Sequence, residues 1–311
     1  MRIVHKVRVA LYNVNKYSSK FNLDLPKLAG RFSIVQNGAE ADYVLCWKNR
    51  PVEVPEYKCV LFQSEPPIAS NIMSSYRASS EFLGYYCFDP DAVPNGRPFT
   101  SDPLCYPYSP AVDKRLEINV SDHSPVKFYF AGKKGSPATW RVPQHFGSKC
   151  IYQHRFEIAS ALKDMFPYSL VVGEGFPEST KNAPAGWRSE KYNDMLRAGS
   201  NYIFCCENAI IKNYFSEKIH DGFNSGRVFA YFGAPNVLDF VPEDCFIDVR
   251  RFMEGDQFHQ KEFKRYIELL TPQQYVRYAE NAKSFSSDFN FRHAKAKSEL
   301  TDRVIELLLD V

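Results

Sequence analysis

The stretch from Tyr202 to Phe252 constrains the fold more than any other part of the chain. It reads YIFCCENAIIKNYFSEKIHDGFNSGRVFAYFGAPNVLDFVPEDCFIDVRRF. A β-prone apolar run opens it, a polar loop and a helix-like segment follow, and a second apolar run, Val228 to Phe232, precedes Gly233-Ala234-Pro235. Strand, loop, helix and strand in this order form the repeating unit of a parallel α/β sheet.

The helix in this stretch has a recognisable start. Ser216 is predicted to be the N-cap, and Ile219 and Phe223 have the spacing that packs one helix face against a sheet. A phosphate placed here would meet backbone N–H groups, the positive end of the helix dipole and the ammonium of Lys218. Glu217 suits a sugar diol, because a carboxylate accepts two hydroxyl hydrogen bonds. The alternative on spacing alone is that both charges are solvated residues of a first helical turn.

The same stretch resembles the donor-binding signature of glycosyltransferase family 10, the α1,3/α1,4-fucosyltransferases. The matching elements are Glu207-Asn208, Tyr214, Ser216-Glu217-Lys218, the Gly233-x-Pro235 turn, and Phe246-Ile247 with Phe252. The resemblance implies that Asn208, Tyr214, Glu217 and Lys218 line a GDP-fucose pocket. It places Glu217 on the ribose and Lys218 on the pyrophosphate. The sequence departs from the pattern at Phe229, where the family usually has proline.

A second element of the resemblance is Arg155. Apolar residues from Phe156 to Met165 fall on one helical face and Pro167 ends the run, so a helix is predicted here. The family carries an arginine at this helix start, which implies that Arg155 contacts the donor phosphates. A guanidinium can bind two phosphate oxygens at once and would add to the point charge of Lys218. Without the resemblance, a surface charge on a helix is the better interpretation.

The third element is Glu65. The strand predicted from Lys58 to Phe62 runs into Gln63-Ser64-Glu65-Pro66-Pro67, and the prolines leave Glu65 at the carboxyl end of that strand. This is similar to the Glu-Ser-Pro element of the fucosyltransferases, with the order Ser-Glu-Pro here. The resemblance implies that Glu65 is the catalytic general base, which takes the proton of the acceptor hydroxyl. The alternative is a solvated glutamate at the end of a strand.

The order of these elements predicts an α/β chain with two domains. Strand-like runs between Val7 and Phe88 indicate an N-terminal α/β domain over 1–122, and a strand from Val126 opens a second domain over 123–311. Two helices are predicted after Thr271. The resemblance implies the GT-B type, with two Rossmann-like domains facing a cleft: the first would bind the acceptor, the second the donor, and the last helix would return to the first domain. A length of 311 residues with 44% hydrophobic residues is enough for two cores.

Composition excludes several classes of function. A net charge of +3 is too small to indicate nucleic acid as a partner. The eight cysteines lack CxxC spacing and lie mostly in apolar runs, which argues against a zinc site or a disulfide framework.

Two further motifs have alternative interpretations. Asp89-Pro90-Asp91 has the form of a metal-binding Asp-x-Asp, but its proline favours a turn. The resemblance points the same way, so no metal and no other cofactor is expected. The basic loop from Gly132 to Ser136 either helps to hold the donor or is a plain turn.

The N-terminus, from Met1 to Lys6, runs straight into a predicted strand. It predicts neither a signal peptide nor a membrane span, so we expect the cytoplasm of a bacterium or of a virus-infected cell. The last helix carries Arg292, Lys295 and Lys297. A solvated helix face is the favoured interpretation of these cations, and peripheral contact with anionic lipid is the alternative.

Together these features predict an inverting glycosyltransferase that moves fucose from GDP-fucose to a glycan acceptor, in glycan biosynthesis or protein glycosylation. Glu65 would deprotonate the acceptor, while Asn208, Lys218 and Arg155 stabilise the leaving diphosphate. One alternative is a divergent member that uses another nucleotide sugar, such as UDP-xylose. A more distant one is a glycoside hydrolase with Glu65 and Glu217 as paired carboxylates. A carbohydrate-binding protein without catalysis is the third.

Overall fold

The computed structural model describes residues 6–12, 23–47, 51–62, 82–87, 97–105, 124–132, 149–176, 194–195 and 198–310. In the first half of the chain the strands are β1 (Arg8–Tyr12), β2 (Ser33–Val35), β3 (Tyr43–Trp47), β4 (Cys59–Phe62), β5 (Gly84–Tyr86) and β6 (Pro98–Phe99). The later strands are β7 (Phe128–Ala131), β8 (Lys149–Cys150), β9 (Leu170–Val172), β10 (Tyr202–Cys206), β11 (Ala209–Ile210), β12 (Val228–Phe232), β13 (Ile247–Asp248), β14 (Met253–Glu254) and β15 (Gln257–Phe258). The α-helices are α1 (Leu25–Arg31), α2 (Tyr152–Met165), α3 (Glu217–Asn224), α4 (Gln260–Glu268), α5 (Pro272–Phe285) and α6 (Phe289–Leu309).

The first sheet has six parallel strands in the order β2-β1-β3-β4-β5-β6. Every residue of β4 is buried, as expected for a central strand of a parallel sheet that is covered on both faces. Two separate apolar clusters flank the sheet, one containing Val60 and Phe62 and the other containing Cys59 and Leu61. Alternate residues of one strand therefore fill opposite faces of the sheet.

The second sheet is also parallel, in the order β13-β12-β10-β7-β9. Strands β10 and β12 pair along their whole length, from Tyr202 opposite Val228 to Cys206 opposite Phe232, and all their residues are buried. Phe229, the departure from the family pattern, lies within this pairing and leaves β12 continuous. The carboxyl ends of β10 and β12 thus lie side by side, where open α/β sheets bind their ligands.

The C-terminal helix returns to the first sheet. Val304, Leu307 and Leu308 of α6 are buried in the same cluster as strand residues of that sheet. Lys27 of α1 is 2.6 Å from Asp302, and the backbone N–H of Asp24 donates to the Thr301 hydroxyl at 2.8 Å. This arrangement confirms the predicted packing of the last helix on the N-terminal domain.

Several predictions fall outside the described residues: the boundary at 122, the Asp89-Pro90-Asp91 turn and the basic loop beyond Gly132. None of the helices in the described ranges combines the length and the hydrophobicity that a membrane span requires. In those same ranges, no group of three or more His, Cys, Asp or Glu side chains is arranged to hold a metal ion. All seven cysteines whose side chains are described are buried.

Candidate nucleotide-sugar site

The site begins where β10 ends, at Glu207. Its backbone N–H donates to the carbonyl of Phe232 at 2.9 Å, which extends the contact between β10 and β12 by one residue. Its side chain has no exposed surface. The carboxylate accepts hydrogen bonds from the backbone N–H of Ser216 at 2.9 Å and from the Ser216 hydroxyl at 2.5 Å. These two bonds hold the start of α3 against the carboxyl end of the strand.

Ser216 is the N-cap of α3, as predicted. Its hydroxyl oxygen accepts from the backbone N–H of Lys218 at 3.3 Å. The Lys218 ammonium donates to the Ser216 hydroxyl and to Glu217 Oε1, both at 3.0 Å, and lies 3.8 Å from Glu207 Oε2. Burial lowers the pKa of Lys218, but the carboxylates of Glu217 and Glu207 outweigh it and raise that pKa above its usual value. The helix N-terminus therefore carries a fixed positive charge.

Arg155 lies in the first turns of α2 and is only 2% exposed, so its interpretation as a surface charge is wrong. Its guanidinium donates to the carbonyls of Cys206, at 3.2 Å, and Glu207. It also donates to Asn208 Oδ1 at 2.6 Å. The guanidinium carbon lies 4.6 Å from the ring centre of Tyr152. Arg155 thus binds the backbone at the end of β10 and orients the Asn208 side chain.

The loop between β10 and α3 is also held from the side of β12. Asn213 adopts a left-handed backbone conformation, with φ of 63°. Its N–H donates to Asn236 Oδ1 at 3.0 Å, and the Asn236 amide donates back to Asn213 Oδ1 at 2.8 Å. Arg250 in turn donates to the carbonyl of Ala234 at 3.1 Å and to Asp248. A chain of polar contacts therefore connects β13, the turn after β12 and the loop before α3.

Four of the predicted donor residues come together in the structure: Arg155, Asn208, Glu217 and Lys218. Tyr214 belongs to an apolar cluster. Its ring is buried with Ile211 in the apolar cluster of the first sheet and α6. Tyr214 thus packs where the two halves of the chain meet, and its predicted contact with the donor stays a prediction.

Two residues complete the comparison with the sequence analysis. Glu65 lies outside the described residues, three positions beyond the end of β4. Glu207 was not predicted to be a site residue, although it stands at the centre of the polar contacts around Lys218. A glutamate that directly follows a fully buried strand was the signal in the sequence.

Two parallel sheets, a returning C-terminal helix and a polar site at the end of a central strand, with Lys218 at the start of α3, define a glycosyltransferase of the GT-B fold. The solved α1,3-fucosyltransferase structure has this fold. It superimposes with a TM-score of 0.57 at 16% identity, over 99% of this chain and 92% of that one. Residues 132–304 match the family described as glycosyltransferase family 10 (fucosyltransferase), C-terminal part. This is more than half of the chain, and the protein belongs to that family.

Similar curated proteins are fucosyltransferases. The chain is 35% identical over 121 residues to an alpha-(1,4)-fucosyltransferase of Arabidopsis thaliana, covering 34% of this chain and 29% of that protein. It is 34% identical over 90 residues to GDP-fucose protein O-fucosyltransferase 3 of Xenopus tropicalis, covering 29% of this chain and 18% of that protein. The matched part thus spans less than a third of the length of either relative.

Structural neighbours with this fold hold different nucleotides. One is the α1,3-fucosyltransferase with GDP, with a TM-score of 0.55 at 17% identity, over 99% of this chain and 92% of that one. Another is Anabaena HepE in complex with UDP-glucose, with a TM-score of 0.50 at 11% identity, over 98% of this chain and all of that one. The fold by itself does not select the base.

Replacing Arg155 with methionine is expected to destabilise the protein by about 2–4 kcal/mol, because buried carbonyls at the end of β10 lose a charged donor. The midpoint of urea unfolding should fall with an unchanged slope. Arg251→Met is the matched control. That side chain is 52% exposed and pairs with Glu243 at 2.8 Å, so its loss should cost less than about 1 kcal/mol. Equal midpoints for the two variants would contradict the structural importance of Arg155.

Proposed function

We propose that the protein transfers fucose from GDP-fucose to a hydroxyl group of a glycan acceptor, with inversion at the anomeric carbon. One observation carries this proposal: the Lys218 ammonium lies at the N-terminus of α3, 3.8 Å from the carboxylate of Glu207 at the end of β10, where the Arg155 guanidinium donates to Asn208. A helix N-terminus with two nearby cations is suited to a diphosphate. Membership in the fucosyltransferase family supports fucose as the sugar.

The donor half of the reaction follows from these charges. As the bond between the anomeric carbon and the diphosphate breaks, negative charge develops on the departing oxygen. Lys218 and the N–H groups of the first turn of α3 would stabilise this negative charge, and Arg155 would add to the positive electrostatic potential around it. Glu217 would bind the ribose hydroxyls, and its side chain is 24% exposed beside Lys218. We propose that these cations supply the electrostatic stabilisation that a metal ion supplies in other glycosyltransferases.

The acceptor half of the reaction would take place at the opposite sheet. Glu65 follows β4 by three residues, and the carboxyl ends of parallel strands form the usual binding edge of such a sheet. In this proposal Glu65 removes the proton of the acceptor hydroxyl as its oxygen attacks the anomeric carbon. Attack occurs on the face opposite the departing GDP, so a β-linked donor gives an α-linked product.

The alternatives differ in their support. A UDP-sugar donor is compatible with the fold, since HepE holds UDP-glucose. GDP is favoured because the Xenopus tropicalis relative is named as a GDP-fucose enzyme and the α1,3-fucosyltransferase neighbour was solved with GDP. Membership in a transferase family leaves the hydrolase and the binding protein without support.

Thermal unfolding with a panel of nucleotides tests the proposal. A ligand at about 100 times its Kd adds about 2.7 kcal/mol to the stability of the native state. GDP and GDP-fucose should raise the midpoint, while UDP, CMP and their sugar conjugates should not. A shift with UDP-sugars alone would replace the donor. The absence of any shift would overturn the transferase proposal.

A further inference from the structure

The carboxylate of Glu207 lies 3.8 Å from the Lys218 ammonium, which we propose binds the diphosphate of the donor. Burial raises the pKa of the Glu207 carboxyl, while the Lys218 ammonium and the hydrogen bonds from Ser216 act against that rise and favour the ionised form. With Glu207 ionised, two cations, Arg155 and Lys218, face two carboxylates, Glu207 and Glu217, and the side-chain charges of the cluster sum to zero. Glu217 is partly exposed and can bind sugar hydroxyls, whereas Glu207 has no exposed surface at all. A buried carboxylate opposes an incoming anion and is costly to desolvate. A buried carboxylate in this position therefore needs a structural role that offsets these two costs.

The hydrogen bonds of Glu207 show what that contribution is. Both carboxylate oxygens accept from Ser216, one from its N–H and one from its hydroxyl. A serine hydroxyl has one proton and two lone pairs. Because its proton goes to Glu207, its oxygen is left to accept from the N–H and the ammonium of Lys218. Glu207 thus sets the direction of the Ser216 hydroxyl, and the hydroxyl sets the position of the Lys218 ammonium.

The surrounding backbone gives the Glu207 side chain little freedom. A Cβ added at Gly233 would lie 2.5 Å from Glu207 Cγ. Any residue other than glycine at position 233 would therefore clash with the Glu207 side chain. The Glu207 backbone is tied to Phe232 by a hydrogen bond of 2.9 Å. The carboxylate is therefore held between the ends of β10 and β12 and the start of α3.

The charges around Lys218 come from three elements. Glu207 faces it from the end of β10, Glu217 from α3, and Arg155 from α2. Two further titratable groups face Glu207 itself. Burial raises the pKa of the Cys206 thiol to about 11 and raises that of the Tyr231 phenol, so both are neutral at physiological pH. Without Glu207, only the Glu217 carboxylate would raise the pKa of Lys218, while burial and the charge of Arg155 would lower it.

We propose that Glu207 is a positioning residue of the donor site: through Ser216, its buried carboxylate fixes the Lys218 ammonium where the departing diphosphate is stabilised. This inference rests on the proposed function. It assigns to a residue outside the predicted donor set the task of orienting one inside it.

Glu207→Gln is the first test, because glutamine has the same shape but turns an NH2 group towards the Ser216 hydroxyl. The kcat for transfer from GDP-fucose should fall about 10- to 100-fold, since small displacements of a stabilising group are costly in the transition state. The KM for GDP-fucose should change less than about threefold, because ground-state binding uses the whole nucleotide. Glu243→Gln, an exposed residue paired with Arg251, is the matched control and should leave both constants unchanged.

The pH dependence of GDP affinity separates positioning from packing. The phosphate-binding form of Lys218 is the protonated one, so affinity declines as pH rises through its pKa. Removing the Glu207 charge lowers that pKa, and the alkaline decline should therefore begin at lower pH in Glu207→Gln than in the wild type. Ionisation of GDP itself is common to all the proteins, so the difference between the profiles is the readout. A variant with lower stability but wild-type kcat and pH profile would overturn the inference.

Ser216→Ala is the second variant, and it keeps the Glu207 charge while removing the hydroxyl link. It should lower kcat in the same range but leave the alkaline decline close to that of the wild type. Full activity of Ser216→Ala would overturn the inference even if Glu207→Gln failed to fold.

The rate at which acetic anhydride modifies Lys218, measured by mass spectrometry as a function of pH, provides a test that needs no nucleotide. That profile should move to lower pH in Glu207→Gln. The inference is therefore tested even if the wild type binds no nucleotide and the proposed function fails.

Discussion

Replacement of Lys218 by alanine is expected to weaken GDP binding by about 100-fold, equivalent to about 3 kcal/mol. The variant loses the ammonium at the N-terminus of α3 and leaves the Glu207 carboxylate buried with one fewer positive neighbour. The backbone N–H groups of the helix start remain, so binding should be weakened rather than lost. Isothermal titration calorimetry at fixed salt measures the effect directly.

Lys264→Ala is the matched control for this experiment. Lys264 lies on α4, is 43% exposed and pairs with Glu268 at 3.6 Å, so its loss should leave GDP affinity unchanged. Urea unfolding of both variants separates a loss of affinity from a loss of fold. If Lys218→Ala keeps the affinity of the wild type within about threefold, the assignment of Lys218 to the diphosphate is wrong.

Replacement of Glu65 by glutamine is expected to lower kcat by about 10²–10⁴-fold, the range typical of a lost general base. Glutamine keeps the size of the side chain but cannot take the proton of the acceptor hydroxyl. GDP affinity should be unchanged, because the donor groups follow β10 of the second sheet and Glu65 follows β4 of the first. Fucose transfer to a glycan acceptor, measured beside GDP binding, checks both statements.

The exposed Glu53 lies in the same half of the chain, and Glu53→Gln makes the matched change away from the proposed base. It should retain full transfer activity. Glu65→Gln with undiminished kcat would remove Glu65 from the mechanism. A parallel loss of GDP affinity would indicate that Glu65 contributes to donor binding instead.

The sequence by itself determined the features that depend on local chemistry. The strand over Val228–Phe232 has the predicted bounds, because a β-prone apolar run carries its own signal. Ser216 caps α3 as predicted, since an N-cap serine bonds to the helix that it starts. The strand predicted from Val126 begins two residues later, at Phe128, which is the usual uncertainty where pairing with a neighbour sets the end.

Only the tertiary structure decided which charges meet. Arg155 reaches backbone carbonyls 51 and 52 residues further along the chain, and no local pattern predicts such a pairing. Tyr214 shares the donor signature in sequence, yet its ring packs with the first sheet and α6. Glu207 appeared in the sequence as a polar residue after a strand. Its connection to Lys218 through Ser216 exists because the folded loop brings α3 back to the end of β10. Hydrogen bonds in this buried place are stronger than in water, because the local dielectric constant is low.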